Sequence, residues 1–217
     1  MNTEQARFNM IEQQIRPWDV LDAGVLALLA MVRREDFVPA AYRGLAFMDT
    51  EIPLGEGQFM LAPRVEARLL QEARVQRHER VLEVGAGSGF MAALLSHKAQ
   101  AVTTLERVPA LAKMAADNLR RAGIVNATVR EADGAAGCAA EAPFDVIVLS
   151  GSVPEVPQGL LDQLKVGGRL ITVVGQEPVM RAVRISRLSA TALQTEALFD
   201  TVVPRLQGFD EPSRFSF

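Results

Sequence analysis

Three glycines at alternate positions give this sequence its first chemistry. They sit in Val81-Leu82-Glu83-Val84-Gly85-Ala86-Gly87-Ser88-Gly89-Phe90, where an apolar run with one acid breaks, and the alanine-rich run Met91–Leu95 follows. Alternating apolar character, then glycines, then a helix-forming stretch reads as strand, tight turn and helix. Such a turn lets the backbone approach a ligand with no Cβ in the way, and the helix start offers N–H groups towards it. Two more acidic positions fall where companion strands should end. Glu106 lies about 20 residues beyond the glycines, where a carboxylate accepts the hydroxyl protons of a ribose. Asp133-Gly134 follows a third strand, where a side-chain acceptor can meet an adenine amino group. Glu83, Gly85, Gly87, Gly89, Glu106, Asp133 and Gly134 are therefore expected to hold an adenosine-bearing cofactor. Phe90 stands where the dinucleotide fingerprint places its last glycine, and Glu106 beside Arg107 argues against a 2′-phosphate, so NAD(P) is the weaker reading.

The elements that must position these residues alternate strand and helix from Arg80 onward. Arg80–Val84, Ala101–Glu106, Thr128–Glu131, Phe144–Leu149 and Arg169–Val174 read as strands, and Phe90–His97, Pro109–Arg121 and Gly159–Leu164 as helices. Gly167-Gly168 reads as a turn, and Arg181–Leu188 with Leu193–Val203 as a closing antiparallel hairpin. This pattern predicts an α/β fold: a doubly wound, mostly parallel, seven-stranded Rossmann-like sheet. Upstream, Thr3–Ile15 places Phe8, Ile11 and Ile15 on one helical face, ended at Arg16-Pro17. Asp19 is expected to cap a second helix over Leu21–Arg34, and Pro63 to open a third over Arg64–Ala73. Between them Phe47–Pro63, with two prolines and two glycines, reads as a long irregular loop. Residues 1–75 are thus expected to be a helical extension with a lid loop, and 76–217 the sheet domain.

Composition narrows the partners. The chain has 217 residues, 49% of them hydrophobic, and a net charge of -3, which gives no argument for nucleic acid or an anionic membrane surface. The apolar run Ala23–Val32 is too short to span a bilayer, and the first residues show no signal peptide, so a cytoplasmic, non-membrane protein is expected. Lone Cys138 suits a reducing compartment and lies among alanines, unlike a nucleophile. The two histidines, His78 and His97, lack ligand spacing, so no metal site is expected.

The turn Glu-x-Gly-x-Gly-x-Gly resembles the first motif of class I S-adenosylmethionine (SAM)-dependent methyltransferases. The resemblance then becomes specific: Phe37-Val38-Pro39, Ile52-Pro53-Leu54-Gly55-Glu56-Gly57-Gln58, Val81–Gly89, Leu105-Glu106-Arg107, Asp133-Gly134, Pro143-Phe144-Asp145 and Leu160–Leu170 come in the order of the protein-L-isoaspartate O-methyltransferases. It runs from about Arg33 to Gly175 and more weakly to Val203. It implies SAM as cofactor, S-adenosylhomocysteine as product, and methylation of an isoaspartyl carboxylate in damaged proteins. By the same resemblance Asp49, Gln58 and Leu61 fall in the catalytic loop. That loop in the family reads Gly-x-Gly-Gln-Thr-Ile-Ser-x-Pro, with its Ser an active-site residue; here Phe59 and Leu61 replace both hydroxyls. Three readings stay open: a methyltransferase acting on a protein or peptide carboxylate, one acting on a smaller or more apolar acceptor, and a SAM-binding module without catalysis. The oligomeric state is not legible.

Overall fold

The structure is a computed structural model that describes residues 2–209. Its N-terminal part begins with α1 (Thr3–Met10), whose last turn runs on in a wider π-helical turn through Ile15. A short 3₁₀ turn, Arg16–Trp18, leads to α2 (Ala23–Met31). Asp22, not Asp19, caps α2: its side chain accepts from Val25 N–H at 2.8 Å. Asp19 instead closes the 3₁₀ turn in a left-handed conformation, with φ of 57°. The stretch Phe47–Pro63 is more ordered than its prolines suggest. It folds into a two-stranded hairpin, β1 (Ile52–Gly55) and β2 (Gln58–Met60), with Ile52 and Leu54 turned inward. Pro63 then opens α3 (Pro63–Ala73), with its fixed φ suited to a helix start.

The alternating part follows as β3 (Arg80–Val84), α4 (Phe90–Lys98), β4 (Ala101–Glu106), α5 (Pro109–Arg121) and β5 (Ala127–Glu131). Next come β6 (Phe144–Val153), α6 (Gln158–Leu161), β7 (Leu164–Gln176), β8 (Val179–Arg187) and β9 (Leu193–Asp200). The sheet runs in the order β5-β4-β3-β6-β7-β8-β9, parallel as far as β7 and antiparallel beyond it. The doubly wound, seven-stranded architecture expected from the sequence is present. Helix α6 is shorter than expected, and Gly167-Gly168 lies inside β7 rather than between elements.

Alternation along the strands divides the core between the two faces. Val81, Val146, Val148 and Ile171 pack on one side with Leu29, Leu69 and Leu94, so the N-terminal helices share this core with the sheet. Leu82, Val84, Ile147, Leu149 and Leu170 face the other side with Leu160 and Leu161. Burial on both faces explains the near-continuous apolar run of β6. The strand order reverses between β3 and β6, and a crevice opens there at their carboxyl ends. Among the described residues no helix is long and apolar enough to cross a membrane.

Candidate active site

The turn after β3 is stitched to the end of β4. Gly85 and Ala86 N–H both donate to Leu105 C=O, at 2.9 and 3.1 Å, and Gly87 N–H donates to Glu106 Oε2 at 2.9 Å. The other carboxylate oxygen of Glu106 accepts from Val108 N–H at 3.0 Å. Glu106 is 6% exposed, so these two backbone donors stand in for much of the water its carboxylate has lost. Gly89 ends the turn with φ of 83° and caps α4; a Cβ there would lie 3.1 Å from Ala115 C=O, so only glycine lets α5 approach so closely.

Glu83 lies two residues before the turn, fully buried. Ser150 Oγ donates to its Oε1 and Thr104 Oγ1 to its Oε2, each at 2.7 Å. Burial pushes its carboxyl up to about 8, against the pull of those two hydroxyls and with help from repulsion by Glu66 and Glu106. A small hollow of about 20 Å³ opens beside it, lined by Glu83, Glu66, Gly85, Gly87, Leu61 and Ser150 among others. A second hollow of about 30 Å³ shares Gly85 and adds Gln58, Glu106, Val108, Gly134 and Leu206. Two larger concavities, of about 680 and 660 Å³, meet at Met31 and His97. Both include the carboxyl end of α4, and the second also that of α5, so they lie away from the strand ends that carry the glycine turn. Size alone is therefore a poor guide, and the chemistry concentrates at the strand ends.

The structure thus gathers Glu83, Gly85, Gly87 and Leu61 around one hollow, and Gln58, Gly85, Glu106 and Gly134 around the next. Gly134 is packed against Val84. Asp133 stands just outside, its Oδ1 accepting from Ala135 N–H at 3.1 Å with Gly208 alongside. Asp49 lines neither hollow; it pairs with Arg64 at 2.6 Å, whose guanidinium lies over Trp18. Leu61 is 3% exposed, and its C=O accepts from Arg34 Nη2 at 2.6 Å. Arg34 also donates to Ala46 C=O at 3.0 Å, pairs with Glu66 and stacks on Phe90. One buried guanidinium therefore joins the loop, α3 and the start of α4.

Several of these contributors escape sequence reasoning. Thr104 and Ser150 had a signal: a polar residue beside Glu83 in the sheet register, and another where the apolar run of β6 breaks. Leu206 had none. The segment after β9 returns over the strand ends, with Ser152 N–H donating to Pro204 C=O and Leu206 N–H to Ser152 C=O, at 2.8 and 2.9 Å. This sets Leu206 against Gly85, where a Cβ would lie 2.7 Å from its Cδ2.

Comparison with known proteins agrees with this geometry. The family model for protein-L-isoaspartate(D-aspartate) O-methyltransferase matches residues 5–205. Protein-L-isoaspartate O-methyltransferase 1 of Rhodopseudomonas palustris (strain HaA2) is 43% identical over 89% of this chain and 80% of its own length. The protein-L-isoaspartate O-methyltransferase of Methanoculleus marisnigri is 41% identical over 82% of this chain and 81% of its own. A crystal structure of the Plasmodium falciparum counterpart in complex with S-adenosyl-L-homocysteine superposes with a TM-score of 0.79, covering 94% of this chain and 97% of that one; at 21% identity it speaks for the fold. With its sheet, its glycine turn and its relatives in agreement, this chain belongs to the protein-L-isoaspartate(D-aspartate) O-methyltransferase family of SAM-dependent methyltransferases.

Proposed function

We propose that this chain methylates the α-carboxylate of isoaspartyl residues in proteins and peptides, using SAM and releasing S-adenosylhomocysteine. The observation that carries the reading is the buried Glu106 carboxylate, held by Gly87 and Val108 N–H at the mouth of the crevice beside the glycine turn. It suits a ribose diol: both oxygens are oriented, and each keeps a lone pair for a hydroxyl. Gly134 and Asp133 at the next strand end suit the adenine, and Glu83 with Gly85, Gly87 and Gly89 the amino-acid end. The cofactor supplies an electrophilic methyl group on a sulfonium. An acceptor carboxylate is already ionised at neutral pH, so the protein's task is to align it and exclude water rather than to remove a proton.

In this reading Gln58 and the backbone around Leu61 position the acceptor, and Asp49 acts at one remove by fixing Arg64 at the loop's entry. Residues 1–75 form the extension and lid that cover the methyl side. The names of the relatives favour a protein carboxylate over an apolar acceptor or a module without catalysis. Lone Cys138 fits the reducing cytoplasm as its place of work. The test is S-adenosylhomocysteine formation with an isoaspartyl peptide and with its normal aspartyl isomer. Turnover with the first alone supports the proposal; equal turnover, or none with either, would remove it.

A further inference from the structure

The segment that returns after β9 crosses the cofactor crevice as a strap. Ser152, on β6, holds it by backbone pairing: its N–H donates to Pro204 C=O and its C=O accepts from Leu206 N–H, at 2.8 and 2.9 Å. Ser152 Oγ also donates to Val203 C=O at 3.1 Å, and Arg205 Nη2 to Gly175 C=O, at the end of β7, at 2.8 Å. Farther on, Phe209 is buried in the core face that holds Leu82, Val84 and Leu105. The turn Gln207-Gly208 between these two holds is exposed. Leu206 fills the place where a ligand must lie. Gly85 follows β3 and Gly151 lies in β6, the neighbouring strands between which the sheet order reverses. A Cβ on Gly85 would lie 2.7 Å from Leu206 Cδ2, and one on Gly151 2.8 Å from Leu206 Cγ, so the two glycines form a socket for this side chain. Gly85 lines both hollows, and Leu206 rests on it. Gly208 sits beside Asp133 and Arg107, where a Cβ would lie 2.7 Å from Asp133 Oδ1 and 2.7 Å from Arg107 Nη1. The strap therefore lies against the residues assigned to both ends of the cofactor. The space it leaves is about 20 and 30 Å³. A pocket that takes a ligand of this class needs roughly 300 Å³ or more.

Resting on the SAM reading, we propose that residues 203–209 are an autoinhibitory strap whose Leu206 competes with the cofactor for the crevice. SAM and S-adenosylhomocysteine bind the form in which Leu206 has left the socket of Gly85 and Gly151. Lifting it breaks one backbone hydrogen bond, from Leu206 N–H to Ser152 C=O, and exposes one half-buried leucine side chain. Neither loss is large, so the open form is within thermal reach. The apparent Kd is then the intrinsic one divided by the open fraction, and any change that unseats Leu206 tightens binding. A residue that served as a wall of the site would do the reverse.

Calorimetric titration of the full chain with S-adenosylhomocysteine tests the competition. Leu206→Ala should lower the Kd roughly tenfold, the gain expected of a strap closed about nine-tenths of the time. Binding that is unchanged or weaker in Leu206→Ala would overturn the inference. If that variant does not fold, hydrogen exchange in the wild type decides. Residues 204–209 should take up deuterium several-fold faster once the chain is saturated with S-adenosylhomocysteine, because the Leu206 N–H loses its acceptor. Unchanged or slower uptake there would refute the strap's displacement. Failure of the wild type to bind either SAM or S-adenosylhomocysteine would overturn the cofactor reading itself, a result distinct from wild-type binding that Leu206→Ala does not improve.

Discussion

Replacing Glu106 by Gln separates what this carboxylate does for the cofactor from what it does for the fold. The substitution keeps shape but turns one acceptor oxygen into an NH₂ group. Whichever way the amide lies, that group faces the N–H of Gly87 or of Val108, now 2.9 and 3.0 Å away, and one buried donor loses its partner. An unsatisfied buried donor costs about 1–3 kcal/mol, and this cost falls on the free protein and the complex alike. Binding alone registers the lost bond from a ribose hydroxyl. A hydrogen bond to a charged acceptor is worth about 1.5–3 kcal/mol, so the Kd for SAM should rise roughly ten- to 150-fold. Calorimetric titration gives the binding loss and urea unfolding the stability loss. A Kd within about twofold of wild type, with the stability loss present, would show that Glu106 serves the turn and not the ribose.

Other perturbations probe the loop, the buried pair and the acid beside it. Leu61→Ser should raise kcat/KM on an isoaspartyl peptide roughly ten- to a hundredfold by adding one hydrogen bond to the acceptor carboxylate, at a cost near the 2–5 kcal/mol of a buried Leu truncation; tritiated methyl transfer with no gain would mean that other groups hold the carboxylate. Arg34→Ala leaves Glu66 and two carbonyls without their donor and should cost about 3–5 kcal/mol in denaturant unfolding, and a loss under about 1 kcal/mol would contradict the pinning role. Glu83 keeps its proton in the folded chain up to about 8 but sheds it in the unfolded chain near the ordinary value of 4.5, so folding takes up a proton in that window. Wild-type stability should therefore fall, relative to Glu83→Gln, by about 1.4 kcal/mol per pH unit as pH rises between those limits; parallel unfolding profiles would contradict the buried acid.

Much of the sheet was legible because its signals are local. The ends of β3 and β4 follow from apolar runs that stop at glycine or acid, and α5 from Pro109 at its first turn. The acidic strand ends were readable for the same reason, since their spacing along the chain is set by the βαβ unit. Asp19 misled because the choice between it and Asp22 depends on where the 3₁₀ turn releases the chain, a geometric event with no composition of its own. The β1–β2 hairpin hid behind Pro53, although Gly55-Glu56-Gly57, all with positive φ, is a turn its strands could have announced. Leu206 on Gly85 and Arg34 on Leu61 join residues far apart in sequence, through packing that no window along the chain contains.

The most direct test of the account is the position of the transferred methyl group. The protein is incubated with SAM and a peptide holding one isoaspartyl residue, and the product is fragmented in a mass spectrometer. The account predicts a single methyl ester on that residue's α-carboxyl, released as methanol in mild base, and no ester on the matching aspartyl peptide. An ester on another carboxyl, or methylation of both isomers alike, would contradict it.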